Sequence, residues 1–392
     1  MAVPKLRFKE FKNEWKIINL KQILSFKNGI NANKDSYGRG IKYISVGDIL
    51  NNTFITYDKI KGLVDINEKM LNENSVEYGD IVFQRSSETF NDIGQSNVYL
   101  DKEEVATFGG FVIRGKKVGN YNPLFLNYLL KSPYNRRKII IKGAGAQHYN
   151  ISQEELEKIN INFTNEKEQE KIANLFSLLD QKIELQKRKS EALKIYKIGL
   201  IQKTYNNNCG NKIKMKDLII QKSIRNTKNE VDNVYSVSNK EGFILQSEQF
   251  KDRTVASEDT QNYKIVEKND FAYNPARINV GSITRMKQDV KGIISPMYIC
   301  FRGNEKIIPE YLEYFFKSYK FTYEMNKRLE GSVRMCLSYE SMINIPIALP
   351  CIEEQRKVSD LFNSVGHKIN QEERKLKKLN EIKKGLLQKM FI

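Results

Sequence analysis

Two long stretches of the chain place their apolar residues on one face of a helix. In residues 358–386, apolar side chains recur at spacings of three, four or seven, which is the period of an amphipathic α-helix. Residues 172–200 show the same pattern, although Gln186 and Ser190 interrupt it. Neither stretch contains proline, and charged residues fill the other positions. Because a helix with one apolar stripe needs a partner, the pattern predicts two long helices that each pack against another surface.

The two stretches are copies of one another. They align without a gap from Glu168 and Glu354, at a constant offset of 186 residues. Composition alone would give only roughly two or three identical pairs over this length. We therefore favour pairing of the two helices within the chain, as a coiled coil, over two unrelated surface helices. The identical pairs include Leu175/Leu361, Phe176/Phe362, Lys182/Lys368, Ile183/Ile369, Arg188/Arg374, Leu193/Leu379, Gly199/Gly385, Leu200/Leu386, Gln202/Gln388 and Lys203/Lys389.

The repeat continues into the segment before each helix. Nearer the start of each half the correspondence is looser, but residues 79–83 still resemble residues 269–273. The chain is therefore predicted to be two similar halves, each a globular domain followed by a long helix, with different loops. The aligned positions include Pro123/Pro309, Leu126/Leu312, Tyr128/Tyr314, Ser132/Ser318, Gly145/Gly331 and Ser152/Ser338.

Each globular part mixes strand and helix signals. Helices are expected over residues 124–131 and 311–317, since Pro123 and Pro309 precede them and proline favours the first helical turn. The predicted fold class is thus α+β, with two similar α/β domains, two long helices and an internal pseudo-two-fold repeat. Extended segments are expected at residues 40–46, 80–83, 108–113, 296–301 and 345–350.

Composition and charge suggest a nucleic-acid partner. The chain has 392 residues, 40% of them hydrophobic, and a formal net charge of +18 with both signs abundant. This is a basic globular protein, for which a polyanion such as DNA is the commonest partner; a merely basic, soluble surface is the alternative. Symmetric dimers read palindromes. Two related but different domains in one chain instead predict a two-part, asymmetric target with a fixed gap.

Few residues are available for metals or disulfides. The four cysteines lie far apart without a C-x-x-C pair, and there are two histidines, so we expect no metal site and a reducing compartment. The segment Met1–Arg7 has no apolar core of an export signal. No apolar run reaches about 18 residues. A cytoplasmic protein is therefore expected.

At the level of motifs, the chain resembles the specificity subunits of type I restriction–modification systems. Its start, Pro4-Lys5-Leu6-Arg7-Phe8-Lys9-Glu10-Phe11 followed by Trp15, is similar to theirs. So are the pairs Glu168-Gln169 and Glu354-Gln355 at the heads of the long stretches, and the loops from Gly145 to Ser152 and from Gly331 to Ser338. The resemblance covers essentially the whole chain. One departure is that residues 162–165 lack the prolines usual at that junction, which puts its rigidity in doubt.

The resemblance implies a domain arrangement and a set of partner subunits. It implies target-recognition domains at 1–165 and 208–350, and conserved helical spacers at 166–207 and 351–392 that pair antiparallel as a ruler. It also implies two methyltransferase subunits, which bind S-adenosylmethionine and methylate adenine at N6. Two restriction–translocation subunits are implied where the complex also cuts DNA. No cofactor is expected in this chain itself.

No convincing catalytic motif is present. The nearest match to an adenine methyltransferase loop, Asn274-Pro275-Ala276-Arg277, lacks the second proline and the aromatic residue. Residues 143–146 are a weak phosphate-binding candidate without a suitable preceding strand, and no G-x-x-x-x-G-K-[ST] occurs. A nuclease whose active site is formed by separated carboxylates is not excluded by the sequence, because its motif is too permissive to recognise by eye. We expect a non-catalytic chain.

Polar clusters at the ends of predicted strands are the candidate DNA contacts. Arg, Lys, Asn and Gln read base edges and also bind phosphates. Arg85 and Arg277 are the pair we favour for guanine or an anchoring phosphate. The weaker phosphate candidates are Lys12, Lys42, Lys138, Lys142, Arg225 and Arg253. For each, a solvated loop residue or a salt bridge is the alternative. The candidate set is Lys42, Gln84, Arg85, Ser86, Ser87, Gln147, His148, Asn150, Arg253, Asn274, Arg277, Asn279, Ser332 and Arg334.

Three other functions remain open from the sequence. One is a stand-alone DNA-binding regulator with a coiled coil, which would need no methyltransferase. Another is a specificity subunit whose partners only methylate. The third, an enzyme with its own methyltransferase activity, is disfavoured by the missing motifs.

Overall fold

The computed structural model describes residues 3–145, 148–206, 211–239, 241–249, 259–331 and 335–392. The chain forms two compact units. The first contains Met1–Arg188 and Arg374–Ile392, and the second contains Lys189–Glu373. Among the described residues, no helix is long and apolar enough to cross a bilayer.

The first unit is built from short strands and short helices, followed by one long helix that continues into the second unit. In chain order its elements are β1 (Lys16–Asn19), β2 (Leu24–Asn28), β3 (Tyr37–Ile44), α1 (Val46–Asn51), β4 (Gly62–Val64), α2 (Glu68–Glu73), β5 (Ile81–Gln84), β6 (Ser86–Ser87), β7 (Ser96–Val98), β8 (Thr107–Phe108), β9 (Val112–Lys117), α3 (Pro123–Lys131), α4 (Pro133–Ile140), β10 (Tyr149–Asn150), α5 (Gln153–Glu157), β11 (Asn160–Phe163) and α6 (Glu166–Asn206).

The second unit has a similar series of elements. They are β12 (Asn211–Lys214), β13 (Ile219–Lys222), β14 (Val234–Ser238), β15 (Gly242–Leu245), α7 (Gln246–Gln249), β16 (Lys264–Val266), β17 (Asp270–Tyr273), β18 (Ile283–Arg285), β19 (Gly292–Ile294), β20 (Ile299–Gly303), α8 (Pro309–Phe315), α9 (Tyr319–Asn326), α10 (Tyr339–Ile343), β21 (Pro346–Leu349) and α11 (Ile352–Lys389).

Sheet topology repeats between the units. The first has an antiparallel sheet ordered β2-β9-β5-β7, and the second has β13-β20-β17-β18. Each unit also has a mixed sheet with one parallel pair, β3–β8 in the three-stranded sheet of the first unit and β14–β19 in the four-stranded sheet of the second. An antiparallel pair closes each globular part, β1–β11 or β12–β21. The predicted α+β fold with an internal repeat is confirmed.

Helix caps show why the shared residues form the same elements. Pro123 and Pro309 occupy the first turns of α3 and α8, where proline loses no helical hydrogen bond. The hydroxyls of Ser132 and Ser318 accept hydrogen bonds from the first turns of α4 and α9. Ser152 and Ser338 cap α5 and α10 in the same way.

Each unit contains a pair of antiparallel helix segments. In the first, Phe176 of α6 stacks on Phe391, which follows α11, and Lys383 donates a hydrogen bond to Asp180. In the second, Lys189 and Lys194 of α6 pair with Glu372 and Glu373 of α11. Not every residue of the predicted stripe is covered: Leu361 and Ile382 are 47% and 44% exposed, and Phe362 is fully buried.

Aromatic side chains anchor the helix ends to the globular cores. Phe391 lies against Phe125 in the core of the first unit, with ring centroids 5.9 Å apart. Tyr205, which aligns with Phe391 at the offset of 186, lies 5.0 Å from Tyr311 in the core of the second. The two halves therefore share not only the helix sequences but also the way in which each helix end packs against a globular core.

The N-terminal motif and the proline-free junction are both tied to helix α6. Arg7 forms a buried ion pair with Glu168 at 2.6 Å, and Leu6 donates its N–H to the carbonyl of Lys389. At the junction, Gln169 donates its amide N–H to the carbonyl of Thr164 at 2.7 Å. Hydrogen bonds thus fix the segment in which prolines are missing.

Two predicted strands are wrong in part: residues 296–298 of the strand expected at 296–301 lie in a turn before β20, and a turn also interrupts the strand expected at 108–113. Residues 108–113 were expected to be extended, but a turn at Gly109-Gly110-Phe111 separates β8 from β9. Val112 donates its N–H to the carbonyl of Gly109 at 2.9 Å, which closes the turn. A Cβ at Gly110 would lie 1.8 Å from Asn31 Oδ1, so a larger residue there would have to displace the Asn31 side chain.

Candidate nucleic-acid interface

Two polar clusters that are far apart in the sequence meet in the first unit. Strand β6 pairs antiparallel with β10, so that Ser86 lies opposite Asn150 and Ser87 opposite Tyr149. The hydroxyl of Ser86 donates a hydrogen bond to Asn150 Oδ1. Ile151 then donates its N–H to the carbonyl of Arg85 at 3.0 Å. The structure therefore joins the candidates at 84–87 and 148–150 into one surface.

A groove of about 400 Å³ lies on this surface. Some of its lining side chains are polar residues predicted from the sequence to contact DNA. Others are acidic or apolar residues that the sequence analysis did not predict as contacts. The carboxylate of Glu88 can accept a hydrogen bond from a cytosine amino group, and hydroxyls can bond to any base edge. The lining residues are Leu50, Gln84, Ser86, Ser87, Glu88, Thr89, Asp92, Phe111 and His148.

Gln84 has the chemistry of a base reader. Its side chain is 5% exposed, and its Nε2 donates to the carbonyl of Ser86 at 2.8 Å. No donor among the described residues reaches its Oε1 atom, although that atom is buried. A buried acceptor without a partner costs about 1–3 kcal/mol. Because this oxygen is shielded from solvent, an amino group of adenine or cytosine could bond to it only after the Gln84 side chain turned toward the groove.

Arg85 and Asn150 line a second, neighbouring cavity of about 300 Å³. The guanidinium of Arg85 donates to the carbonyl of Gly110 at 3.3 Å. Lys142 lines the same cavity, with its ammonium 3.1 Å from the carboxylate of Glu155. The cavity therefore has two cationic side chains, one of which is already paired with an acid.

Other basic candidates are held by local contacts. Lys42 donates to the carbonyl of Tyr57 at 2.8 Å, and its ammonium lies 4.9 Å from the centre of that ring. Lys138 donates to the carbonyl of Asn160, and Arg225 donates to Asn262 Oδ1. Lys12 is exposed. For the three bonded residues, these contacts favour a structural role over phosphate binding.

In the second unit, the corresponding strand end has different chemistry. Asn274 follows β17 and is 8% exposed, and its Oδ1 accepts a hydrogen bond from the N–H of Ala276 at 3.0 Å. Arg277 and Asn279 are exposed, at and within a 3₁₀ turn over Ile278–Val280. The acceptor of Asn274 is thus used within the turn, whereas that of Gln84 has no described donor.

Arg85 and Arg277 do not occupy equivalent positions. Leu337 donates its N–H to the carbonyl of Pro275, as Ile151 does to that of Arg85. Pro275 is therefore the counterpart of Arg85. The two halves are offset by 190 residues at strands β5 and β17. Because Arg85 and Arg277 are 192 residues apart, the two arginines do not align.

Four candidates, Gln147, Arg253, Ser332 and Arg334, lie outside the described residues. Sequence reasoning missed Phe111, whose side chain borders the groove. The doublet Gly109-Gly110 before it was a signal of a turn. Among the described residues, no three His, Cys, Asp or Glu side chains are grouped as a metal site would require.

Comparison with known proteins identifies the domain. The family described as "Type I restriction modification DNA specificity domain" matches residues 12–194. The putative type I restriction enzyme MjaX specificity subunit of Methanocaldococcus jannaschii is 28% identical over 202 residues. That alignment covers 50% of this chain and 46% of the relative, so the match spans about half the length of the relative.

Solved structures match over nearly the full length. The crystal structure of a type I restriction–modification S subunit from M. genitalium has a TM-score of 0.55 at 16% identity, covering 100% of this chain and 99% of that one. The HsdS subunit from Thermoanaerobacter tengcongensis has a TM-score of 0.50 at 13% identity, covering 96% of each chain.

A third structure also has this fold. It is described as the structural basis of complex assembly and conformational transition of the type I R-M system, and it matches with a TM-score of 0.59 at 10% identity. It covers 95% of this chain and 96% of that one. The resemblance seen in the sequence is therefore confirmed: residues 12–194 match the type I restriction modification DNA specificity domain, and the chain has the fold of these S subunits.

Proposed function

We propose that this chain is the sequence-reading subunit of a type I restriction–modification enzyme. Each unit reads one part of a two-part, asymmetric DNA sequence, and the paired helices fix the gap between the parts. One observation carries the proposal: the two units share strand order, caps and helix contacts, but differ where the central strand ends. A shared framework with different reading side chains is what two unlike half-sites require.

Gln84 and Arg85 are the proposed readers of the first unit. The free acceptor of Gln84 bonds to an amino group of adenine or cytosine, and Arg85 bonds to guanine or a phosphate. In the second unit, the exposed Arg277 and Asn279 take these roles, and Asn274 shapes their turn. The net charge of +18 adds sequence-independent attraction to phosphates, which weakens as salt rises.

The proposed partners are two methyltransferase subunits, joined by two restriction subunits where the complex cuts. S-adenosylmethionine is bound by the methyltransferase, which transfers the methyl group to adenine N6. The chain itself is proposed to be non-catalytic. In support, Asn274 in the nearest match to a methyltransferase motif is buried, and its oxygen already accepts a hydrogen bond from the N–H of Ala276. The proposed DNA substrate places the complex in the cytoplasm.

Co-expression with a cognate methyltransferase subunit, in a host without adenine methylation, tests this proposal. Modified adenines would be mapped across the genome by long-read sequencing. The expected result is a motif of two short, unlike parts with a fixed gap, absent when either chain is omitted. A folded complex that adds no methylation would favour the stand-alone DNA-binding protein. Methylation by this chain alone would show that it is an enzyme.

A further inference from the structure

Phe111 is a large apolar side chain held in the open by a rigid turn. It is 69% exposed, and it lies between β8 and β9. Its carbonyl accepts a hydrogen bond from Arg85 at 2.8 Å, and Gly109 donates its N–H to the carbonyl of Ile44 at 3.0 Å. With the bond from Val112 to Gly109, these contacts fix the backbone on both sides of the ring. The exposure is therefore built into the fold and does not come from a loose loop.

The ring of Phe111 separates two concavities of different character. On one side is the polar groove with Gln84 and His148. On the other is a cavity of about 460 Å³ that includes the rings of Tyr37 and Tyr43. An apolar side chain thus borders the groove that holds the proposed base readers.

The second unit presents an apolar side chain at the same place. Met297 aligns with Phe111 at the offset of 186 and is 59% exposed. Tyr298 donates its N–H to the carbonyl of Ser295 at 3.1 Å, which is the counterpart of the bond from Val112 to Gly109. Single exposed apolar residues are common on protein surfaces. Their recurrence at one framework position, next to loops that differ, sets these two apart.

We propose that Phe111 and Met297 each read a thymine by contact with its 5-methyl group. This inference rests on the proposed function and adds an apolar reader to each unit. In the major groove the methyl group distinguishes thymine from cytosine, and apolar side chains recognise it by contact. A protein partner fits less well, because a stable protein interface needs about 800 Å² on each side, and one side chain beside a polar groove offers far less apolar area.

The contact can be tested by removing one methyl group at a time. The methylation map first gives the two half-sites. Binding of the complex with its methyltransferase is then measured on duplexes in which each thymine in turn is replaced by deoxyuridine, which pairs alike but lacks the methyl group. Burial of one methyl group is worth roughly fourfold in affinity. One replacement in the first half-site should weaken binding by about that factor.

Variants connect each effect to a residue. Phe111→Ala should weaken DNA binding at least as much as the deoxyuridine replacement in the first half-site does. Binding by this variant should no longer respond to that thymine-to-deoxyuridine replacement. Met297→Ala should behave in the same way for a thymine of the other half-site only. Val118→Ala, directly after β9, and Ile220→Ala, on β13, alter side chains that are 60% and 61% exposed. These variants are the matched controls and should leave the response intact.

The outcomes separate this inference from the proposed function. A wild-type complex without sequence-specific binding would overturn both. Specific binding that no thymine replacement weakens, or that Phe111→Ala and Met297→Ala leave unchanged, would overturn the methyl contact alone. So would a Phe111→Ala chain that loses the methyltransferase subunit at unchanged DNA affinity, because the ring would then face a protein.

Discussion

The two globular parts join their helices in the same way, yet differ at the ends of their central strands. Gln169 in the first unit and Gln355 in the second are both buried at the head of a long helix. Gln169 accepts a hydrogen bond from the N–H of Asn122, and Gln355 accepts one from that of Ile308. These backbone positions are related by the same offset of 186 residues, so the junction is part of the shared framework.

At the strand ends the chemistry diverges. Gln84 has a buried acceptor without a described donor, whereas the acceptor of Asn274 is bonded within its own turn. Pro275 stands where the first unit has Arg85. The divergence at these strand ends leaves the buried helix-head glutamines and their hydrogen bonds alike in both units. The comparison teaches that one framework can carry two different strand ends, which are the proposed reading surfaces.

The largest expected effect is on the shared framework. Gln169→Ala would leave the N–H of Asn122 and the carbonyl of Thr164 without their partner, and Gln355→Ala would release three such groups. Each buried group left unsatisfied costs about 1–3 kcal/mol. Both variants should therefore lower the free energy of unfolding by about 2–4 kcal/mol, as measured by urea denaturation.

The exposed Gln371 provides the control for these variants. Gln371→Ala should change the free energy of unfolding by less than about 0.5 kcal/mol. A large loss for one helix-head glutamine and none for the other would show that the junctions are not equivalent.

A smaller effect is expected at the reading surface. Gln84→Ala removes the free acceptor and should relax recognition at one base of the first half-site, by about 1–3 kcal/mol of discrimination. Binding to duplexes with single base changes measures this. The other half-site should be unaffected, and Asn274→Ala should change only that one. Relaxation of both half-sites by Gln84→Ala would contradict the assignment of one half-site to each unit.

The last expected effect depends on pH and concerns a lysine whose surroundings differ between the halves. Lys131 donates to the carbonyl of Thr53 and to Asn97 Oδ1, whereas its counterpart Lys317 lies 2.8 Å from the carboxylate of Glu313. Burial, together with nearby Lys383, lowers the pKa of Lys131 to about 7. Burial alone would raise the pKa of Glu313, but Lys317 and other nearby cations hold that pKa at about 2.

The sign of the pH dependence follows from that lowered pKa. Between a pH of about 7 and 10.5, the folded state holds fewer protons at Lys131 than the unfolded state. Stability from this site therefore rises with pH across that window. The difference in thermal stability between the wild type and Lys131→Met should shift in favour of the wild type as pH rises. A difference that is constant with pH would show that Lys131 is not desolvated.

Local and repeated features could be predicted from the sequence, whereas long-range pairings could not. Helix periodicity predicted α6 and α11. Pro123 marks a helix start because its fixed φ suits the first turn, and Ser132 marks one through its capping hydrogen bond. The pairing of β6 with β10 joins residues about 60 apart, which no local pattern encodes. The apolar stripe was also overestimated, since Leu361 is exposed although its period matches. The predicted domain boundaries stay a prediction.

The most direct test of the account exchanges one reading surface for the other. Strands β1 and β11 close the first globular part, as β12 and β21 close the second, so residues 16–163 can replace residues 211–349 between matching strand ends. The methylation map of a host that expresses this variant with the methyltransferase should show a palindrome, built twice from one half of the wild-type motif with an unchanged gap. A motif that still has two unlike parts would contradict the claim that each unit reads its own half-site.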